Sequence, residues 1–393
     1  MTISGTRREF LAAAAASVVA VGCRTALSPS RRKLLIYNED NSAYACGRKF
    51  GGPPTEAGLR DYIRRISAGG AVTHFFACPN AMRANWDSRV MEPIWAGVDR
   101  PGINAPDWQR TLKAMHDAGI DLYSVWADET RRCGLSFWLS IRMNDVHNVD
   151  DPTNMMHSAF WRDHPELRRV PSADGRNWTD LALDYSHREV RDYWKAFLAE
   201  AFGRYDIDGL ELDWMRFTEH LPPGRATECS WCLDEIMAEA RRLADAASLR
   251  LGHKVLVGAR VSSRPESAIA RGTDFATWAR KGWIDWLVPC NFWRCADFNL
   301  PYAEWARLVD GTGVTVVPGL DNGLVVNGRR RGHNVGEYSL FADRMYRQGA
   351  PGIYLFNPFD NKPEVWKALV SEGLPPSLVA MRAKGVTATD EHD

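Results

Sequence analysis

The stretch Asp206-Ile207-Asp208-Gly209-Leu210-Glu211-Leu212-Asp213-Trp214-Met215-Arg216 constrains the fold more than any other part of this 393-residue chain. Read as a strand, whose side chains alternate between faces, it sets Leu210, Leu212 and Trp214 on one side and Gly209, Glu211 and Asp213 on the other. A parallel strand covered by helices is apolar on both sides. Two carboxylates on one face therefore require an interior that pairs them or uses them. Either barrel arginines neutralise them, or Asp213, at the carboxyl end of the strand, faces a substrate.

The rest of the chain repeats one unit. Runs rich in Val, Ile and Leu predict further strands over 34–37, 72–77, 135–144, 255–261, 286–293, 314–320 and 352–357. Helical patterns cover 55–67, 107–118, 125–132, 233–247, 274–281, 302–309, 337–348 and 363–371, and the capping box Ser186-His187-Arg188-Glu189 starts another that ends at Tyr205. In the third strand Phe137, Leu139, Ile141 and Met143 share one face, with Ser136, Ser140, Arg142 and Asn144 on the other. Eight strands, each followed by helical sequence, predict an α/β fold, a single-domain (β/α)8 TIM barrel. A doubly wound sheet would want a Gly-rich phosphate turn after its first strand, where this chain has Asn38-Glu39-Asp40. About forty residues of loop follow the third strand, a length that suits a binding wall.

Lys plus Arg and Asp plus Glu number 49 each, so the formal charge is zero and nothing indicates a nucleic-acid or anionic-membrane partner. The 16 Trp exceed what such a core needs, and exposed indoles suit the flat faces of sugar rings. Thr6-Arg7-Arg8-Glu9-Phe10-Leu11 matches the twin-arginine export signal, and the apolar run from Leu11 to Val21 is too short to span a bilayer. Ala20-Val21-Gly22-Cys23 reads as a lipoprotein processing site that would acylate Cys23, although Ala20 stands where Leu is expected. Plain signal-peptidase cleavage nearby is the alternative. The chain thus divides into a leader and linker over 1–29, a barrel over 30–373 and a charged tail over 374–393. The expected location is periplasmic, or anchored through Cys23 on the extracytoplasmic side. Cys229-Ser230-Trp231-Cys232 has the spacing of half a zinc site but no second pair to complete it, so no metal and no cofactor is expected.

In such barrels chemistry sits at the carboxyl ends of the strands. Those ends supply Tyr37, Asn38, Glu39 and Asp40; Asn80; Arg142, Asn144, Asp145 and His147; Glu211, Asp213 and Arg216; Arg260; Asn291 and Trp293; Asp321; and Asn357. Amides and arginines bond hydroxyls and an indole covers a ring face, so a polyhydroxylated ligand fits. Acid-base cleavage of a glycosidic bond needs two carboxyl groups flanking it, one protonated and one ionised. Asp213 is the first choice. Asp321 is the preferred second, because it shares parity with Thr315, Val317 and Gly319 and Gly319 leaves room above it; Asp145 and the Glu39/Asp40 pair also lie on the rim. Glu211 lies about 6–7 Å deeper, placed to orient Asp213 or raise its pKa, with Arg142 or Arg260 as counter-ion. His147 and His74 are weaker candidates, Trp293 is read as stacking on ligand, and Trp214 as packing.

Asp208-Gly209-Leu210-Glu211-Leu212-Asp213-Trp214-Met215-Arg216 resembles the fourth-strand motif of the glycosyl-hydrolase-like family 10 proteins, barrel enzymes of exported polysaccharide-degrading systems. The resemblance runs over about 33–371 and includes Asp184-Tyr185 and the Cys229/Cys232 pair. It implies a glycoside hydrolase acting on a plant, algal or bacterial glycan, with Asp213 in the acidic position of the motif. The stretch is also similar to the Asp-Gly-x-Asp-x-Asp-x-Glu strand of chitinase-type family 18 barrels, but Met215 stands where that pattern has its proton-donating Glu. Two other functions remain open: a non-catalytic surface glycan-binding lipoprotein, and a polysaccharide lyase whose uronate Arg142 and Arg260 would neutralise.

Overall fold

The computed structural model describes residues 32–40, 42–45, 54–101, 103, 105–151, 153–169, 181–291, 296–326, 328–358 and 363–370. The expected leader with Cys23, the tail, and Trp293 lie outside the described residues. Strands β1 (Leu34–Asp40), β2 (His74–Cys78), β3 (Ser136–Arg142), β4 (Gly209–Asp213), β5 (Leu256–Val261) and β6 (Trp286–Pro289) pair in parallel in chain order. Strand β7 (Thr315–Val316) continues this ladder beside β6, while β8 (Gly319–Leu320) pairs with β11 (Gly352–Phe356), which lies on the far side of β1.

The two ends of the ladder are consecutive pieces of one segment. Val317 donates its N–H to Leu287 O of β6 at 2.9 Å, and the next residue, Pro318, accepts at its carbonyl from Tyr354 N of β11 at 2.9 Å. The sheet therefore closes on itself as a TIM-type barrel. Pro318 has no N–H to give a ladder, so it sits where the strand changes partner. The predicted seventh strand thus exists in two pieces. A hairpin not anticipated from the sequence follows it, β9 (Leu324–Val326) and β10 (Arg329–Arg331).

The alternation read in β3 and β4 divides the molecule into two cores. Phe137, Leu139, Ile141, Leu210 and Leu212 face outward into the large apolar layer under the helices. A smaller cluster fills the barrel: Ile36, Phe76, Trp138, Trp286, Val288 and Tyr354 are among its members. Trp138 is fully buried in it, stacked on Phe76 at 4.7 Å and tilted against Trp286 at 4.9 Å. Its space comes from two glycines. A Cβ at Gly209 would overlap the indole, and one at Gly258 would come within 3.2 Å of it. The interior is thus apolar towards the amino ends of the strands and polar towards their carboxyl ends.

Helix starts follow side-chain caps. Thr55 accepts from Gly58 N ahead of the helix Glu56–Ser67, and Asp121 from Tyr123 N and Ser124 N ahead of Leu122–Arg132. The expected box at Ser186 does not form: His187 is the N-cap of Arg188–Arg204, with no side-chain bond. Asp184 Oδ1 takes the Ser186 N–H instead, at 2.8 Å. A complete capping box does occur at Asn334 and Glu337. The tryptophan abundance is mostly packing, since Trp126, Trp138, Trp214, Trp278, Trp305 and Trp366 are all fully buried.

Candidate active site

Strand register sets the site in rungs. Arg142, Asp213 and Arg260 lie side by side on β3, β4 and β5, and one inward rung lower come Ser140, Glu211 and Gly258. Arg260 turns to Asp213 and grips both carboxylate oxygens, Nε to Oδ1 at 2.8 Å and Nη2 to Oδ2 at 3.0 Å. Asp213 Oδ1 also accepts from Met215 N and Arg216 N, each at 2.9 Å. Arg260 is held in turn by Asn291 O at 3.2 Å and lies 3.7 Å over the Phe356 ring. The pairing reading drawn from the sequence thus describes the surroundings of Asp213.

Glu211 has a different environment, and its expected counter-ions are corrected. Neither Arg142 nor Arg260 hydrogen-bonds it; Oε1 accepts from Ser140 Oγ at 2.6 Å and Tyr354 OH at 2.8 Å, and buried Oε2 has no partner among the described residues. Burial first, and the charge of Asp213 second, push its pKa up to about 7. Asn38 Nδ2 donates to the Tyr354 hydroxyl at 2.7 Å and completes this chain.

Arg142 belongs to a second network at the barrel mouth. It donates to Asp40 at 2.6 Å and to Asp145 at 3.2 Å. Asp145 Oδ1 meets His147 Nδ1 at 2.6 Å, and Arg216 Nη2 approaches His147 Nε2 at 3.2 Å. Burial works against ionisation of Asp40, but Arg142, Arg216 and His147 outweigh it and hold the carboxyl at about 2. Burial likewise opposes the charge of Asp145, and His147 and Arg142 hold it below the usual carboxylate range. Arg216 is lowered to about 10, by burial and by Arg142, against the pull of Asp40, Asp145 and Asp321.

Several residues expected on the rim face elsewhere. Tyr37 and Glu39 have the outward parity of β1: the Tyr37 ring packs with Phe75 and Trp366, and Glu39 accepts from Tyr62 OH at 2.5 Å. Asp40 alone of that pair looks inward. Asn144 braces the loops, bonding Leu183 O at 2.8 Å, Glu219 O at 3.0 Å and Leu183 N at 3.0 Å. Asn80 does the same for the Arg142 backbone. His74 lies near the amino end of the barrel, its ring centroid 4.7 Å from that of Trp286. Trp214 packs against Tyr185, His220 and Trp278.

Asp321, Asn291 and Asn357 do gather at the carboxyl ends of the strands. Asp321 is buried and caps its own turn through Asn322 N, while His333 holds its carbonyl at 2.7 Å. The room at Gly319 serves Cys290, whose Cβ would be 2.6 Å from an added methyl, and not Asp321. Asn357 adopts φ 44°, and its amide reaches Asp40 Oδ2 at 3.4 Å. Asn291 is 1% exposed, yet among the described residues neither its Oδ1 nor its Nδ2 has a partner. Asn357 Oδ1 and Asn38 Oδ1 are also buried without one. Tyr354 escaped the sequence reading. The signal was its parity with Phe356 on a strand whose only noted polar residue was Asn357. Among the described residues, no group of three or more His, Cys, Asp or Glu side chains could hold a metal ion.

No protein-family model and no curated protein matches the sequence. Solved structures match the fold. The glycoside hydrolase domain of PgaB (BpsB) from Bordetella bronchiseptica superposes with a TM-score of 0.53 at 11% identity, over 87% of this chain and 99% of that one. Alpha-L-fucosidase isoenzyme 2 from Paenibacillus thiaminolyticus superposes with a TM-score of 0.52 at 13% identity, over 86% of this chain and 48% of that one. At these identities the likeness is one of architecture: this chain has the barrel fold of glycoside hydrolases.

Proposed function

We propose that the protein is a glycoside hydrolase that cleaves a poly- or oligosaccharide at the mouth of the barrel. The observation that carries this reading is Asn291: an amide at the carboxyl end of β6, buried and, among the described residues, without a partner at either atom, beside the Arg260–Asp213 pair. A buried polar group left unpaired costs free energy, and sugar hydroxyls, which donate and accept, would satisfy both amide atoms. The fold shared with the PgaB glycoside hydrolase domain and the fucosidase supports the same class.

We read the roles from these environments. Asp40, Asp145 and Asp213 are all engaged by arginines. Asp213, with four donors, is the fixed negative charge that would face a developing oxocarbenium ion or attack it. Asp321, buried at the carboxyl end of the barrel, would be the acid that protonates the leaving oxygen. Glu211 is a positioning residue beneath Asp213, and its proton limits the negative charge gathered on β4. Membership of the glycosyl-hydrolase-like family 10 and export by the twin-arginine route with acylation at Cys23 belong to this proposal, resting on the β4 motif and the leader sequence.

The clamp on Asp213 favours one rival, a glycan-binding barrel without turnover. The lyase reading is weaker, because Arg142 and Arg260, which would neutralise a uronate, are both bound to aspartates. Product release and binding, measured together over a panel of polysaccharides, decide among them. The wild type should release saturated oligosaccharides, while Asp213→Asn and Asp321→Asn should still bind but lose roughly a thousandfold or more in turnover. Binding without product from the wild type would leave the rival, and unsaturated products would leave the lyase.

A further inference from the structure

Beside the barrel mouth, a cavity of about 240 Å³ opens between the loop that follows β2 and the loop that follows β3. Three arginines line it, Arg83, Arg100 and Arg162, against a single lining carboxylate among the described residues, Glu92. Arg83 is buried and donates to His157 O at 2.8 Å and Ala96 O at 3.0 Å, and Arg162 donates to the same His157 carbonyl. Both guanidinium groups also approach Glu92 Oε1, at 4.0 and 3.4 Å. Arg100 is exposed, and no hydrogen bond or ion pair of its side chain is found among the described residues. Burial above all depresses the pKa of Arg83, and repulsion from Arg162 and Arg100 adds to it against the pull of Glu92.

The cavity is tied to the proposed site. His157, whose carbonyl receives Arg83 and Arg162, bonds through Nε2 to the His147 carbonyl at 3.1 Å, and His147 belongs to the Asp145–Arg216 network. Its remaining wall includes Ile103 and Met155, apolar surface beside the charges. Guanidinium groups bind planar and tetrahedral oxyanions through paired N–H donors, and a concave wall concentrates their field.

We propose that this cavity binds the anionic substituent, a carboxylate or a sulfate, of an acidic glycan whose backbone enters the barrel mouth. The proposal rests on the glycoside hydrolase reading and narrows its substrate class. Glu92 leaves an excess of two positive charges among the lining side chains, which the substituent would neutralise while Ile103 and Met155 cover the apolar face of the sugar that bears it.

The test is calorimetric titration of the full chain with uronate-containing and sulfated oligosaccharides, each beside its uncharged counterpart, and with inorganic sulfate alone. At least one acidic oligosaccharide should bind about tenfold or more tightly than its neutral counterpart, with the advantage shrinking as salt is added. Arg100→Ala should lose most of that preference and Arg100→Glu all of it. Arg100 is exposed, so both variants should keep the wild-type melting temperature. Equal affinity for charged and neutral partners, or an unchanged preference in Arg100→Glu, overturns the inference and leaves the hydrolase reading standing if neutral glycans are cleaved. Sulfate binding that depends on Arg100, with no saccharide bound at all, overturns the acidic-glycan assignment together with the glycan reading.

Discussion

Arg260 and Asp213 face each other across β4 and β5, and the guanidinium meets both carboxylate oxygens at 2.8 and 3.0 Å with both side chains buried. Removing one member of such a pair leaves an uncompensated buried charge, at a cost of about 3–5 kcal/mol. Arg260→Met should therefore destabilise by about that amount, and Asp213→Asn should cost less because an amide can still accept from Arg260. The double variant should be more stable than the sum of the two losses predicts. Chemical denaturation of the four proteins in a cycle measures this coupling, and strict additivity would show that the pair is not an energetic unit.

Glu211 gives the fold a dependence on pH opposite in sign to that of the cation-held acids. Its folded pKa of about 7 lies above the ordinary value of 4.5, so between these values the folded state holds more protons than the unfolded one. Stability then falls as pH rises. The favourable situation is complete below about 4.5, and the loss is complete above about 7, reaching at most about 3 kcal/mol. Glu211→Gln should flatten this slope. Asp40, held at about 2, acts the other way, its stabilisation present above 3.8 and lost as the pH falls through about 2. Stability curves of wild type and Glu211→Gln from pH 4 to 8 that run parallel would contradict the account.

The barrel was legible because alternation and element order are local properties of the sequence. The outward faces of β3 and β4 fell where period 2 placed them. The same rule, applied to β1, would have removed Tyr37 and Glu39 from the rim, since only Asn38 and Asp40 share the inward parity of Ile36. Charge partners were not legible. Arg142 finds Asp40, 102 residues away, and Asp213 finds Arg260 at a separation of 47. Which arginine serves which acid depends on rotamers inside a closed cylinder. Asn144 was misplaced for a related reason: its partners, Leu183 and Glu219, come from loops that sequence pattern does not position.

The indole of Trp138 occupies space that exists only because residue 209 has no side chain. Gly209→Ala should overpack the interior and cost about 1–3 kcal/mol. Trp138→Ala should instead open a cavity and cost about 3–5 kcal/mol. The smaller ring of Trp138→Phe should restore part of the loss when combined with Gly209→Ala. Denaturation midpoints of the single and double variants report the compensation, and a double variant no better than Gly209→Ala would argue against steric conflict at this contact.

Asn291 and Asn144 make a controlled pair, two buried amides of one residue type at the carboxyl end of the barrel. Asn144 makes three hydrogen bonds to loop backbone, so Asn144→Ala leaves backbone groups unpaired and should destabilise by about 1–3 kcal/mol. Asn291 makes none with its side chain among the described residues, and replacing an unpartnered amide is close to neutral for stability. If sugar hydroxyls complete its bonding, Asn291→Ala should instead weaken glycan binding by roughly tenfold, the worth of one or two hydrogen bonds. Melting temperature and glycan affinity, read on both variants, should therefore separate. A stable Asn291→Ala protein that binds glycan as tightly as wild type would remove this amide from the site and take away the observation on which the proposed function rests.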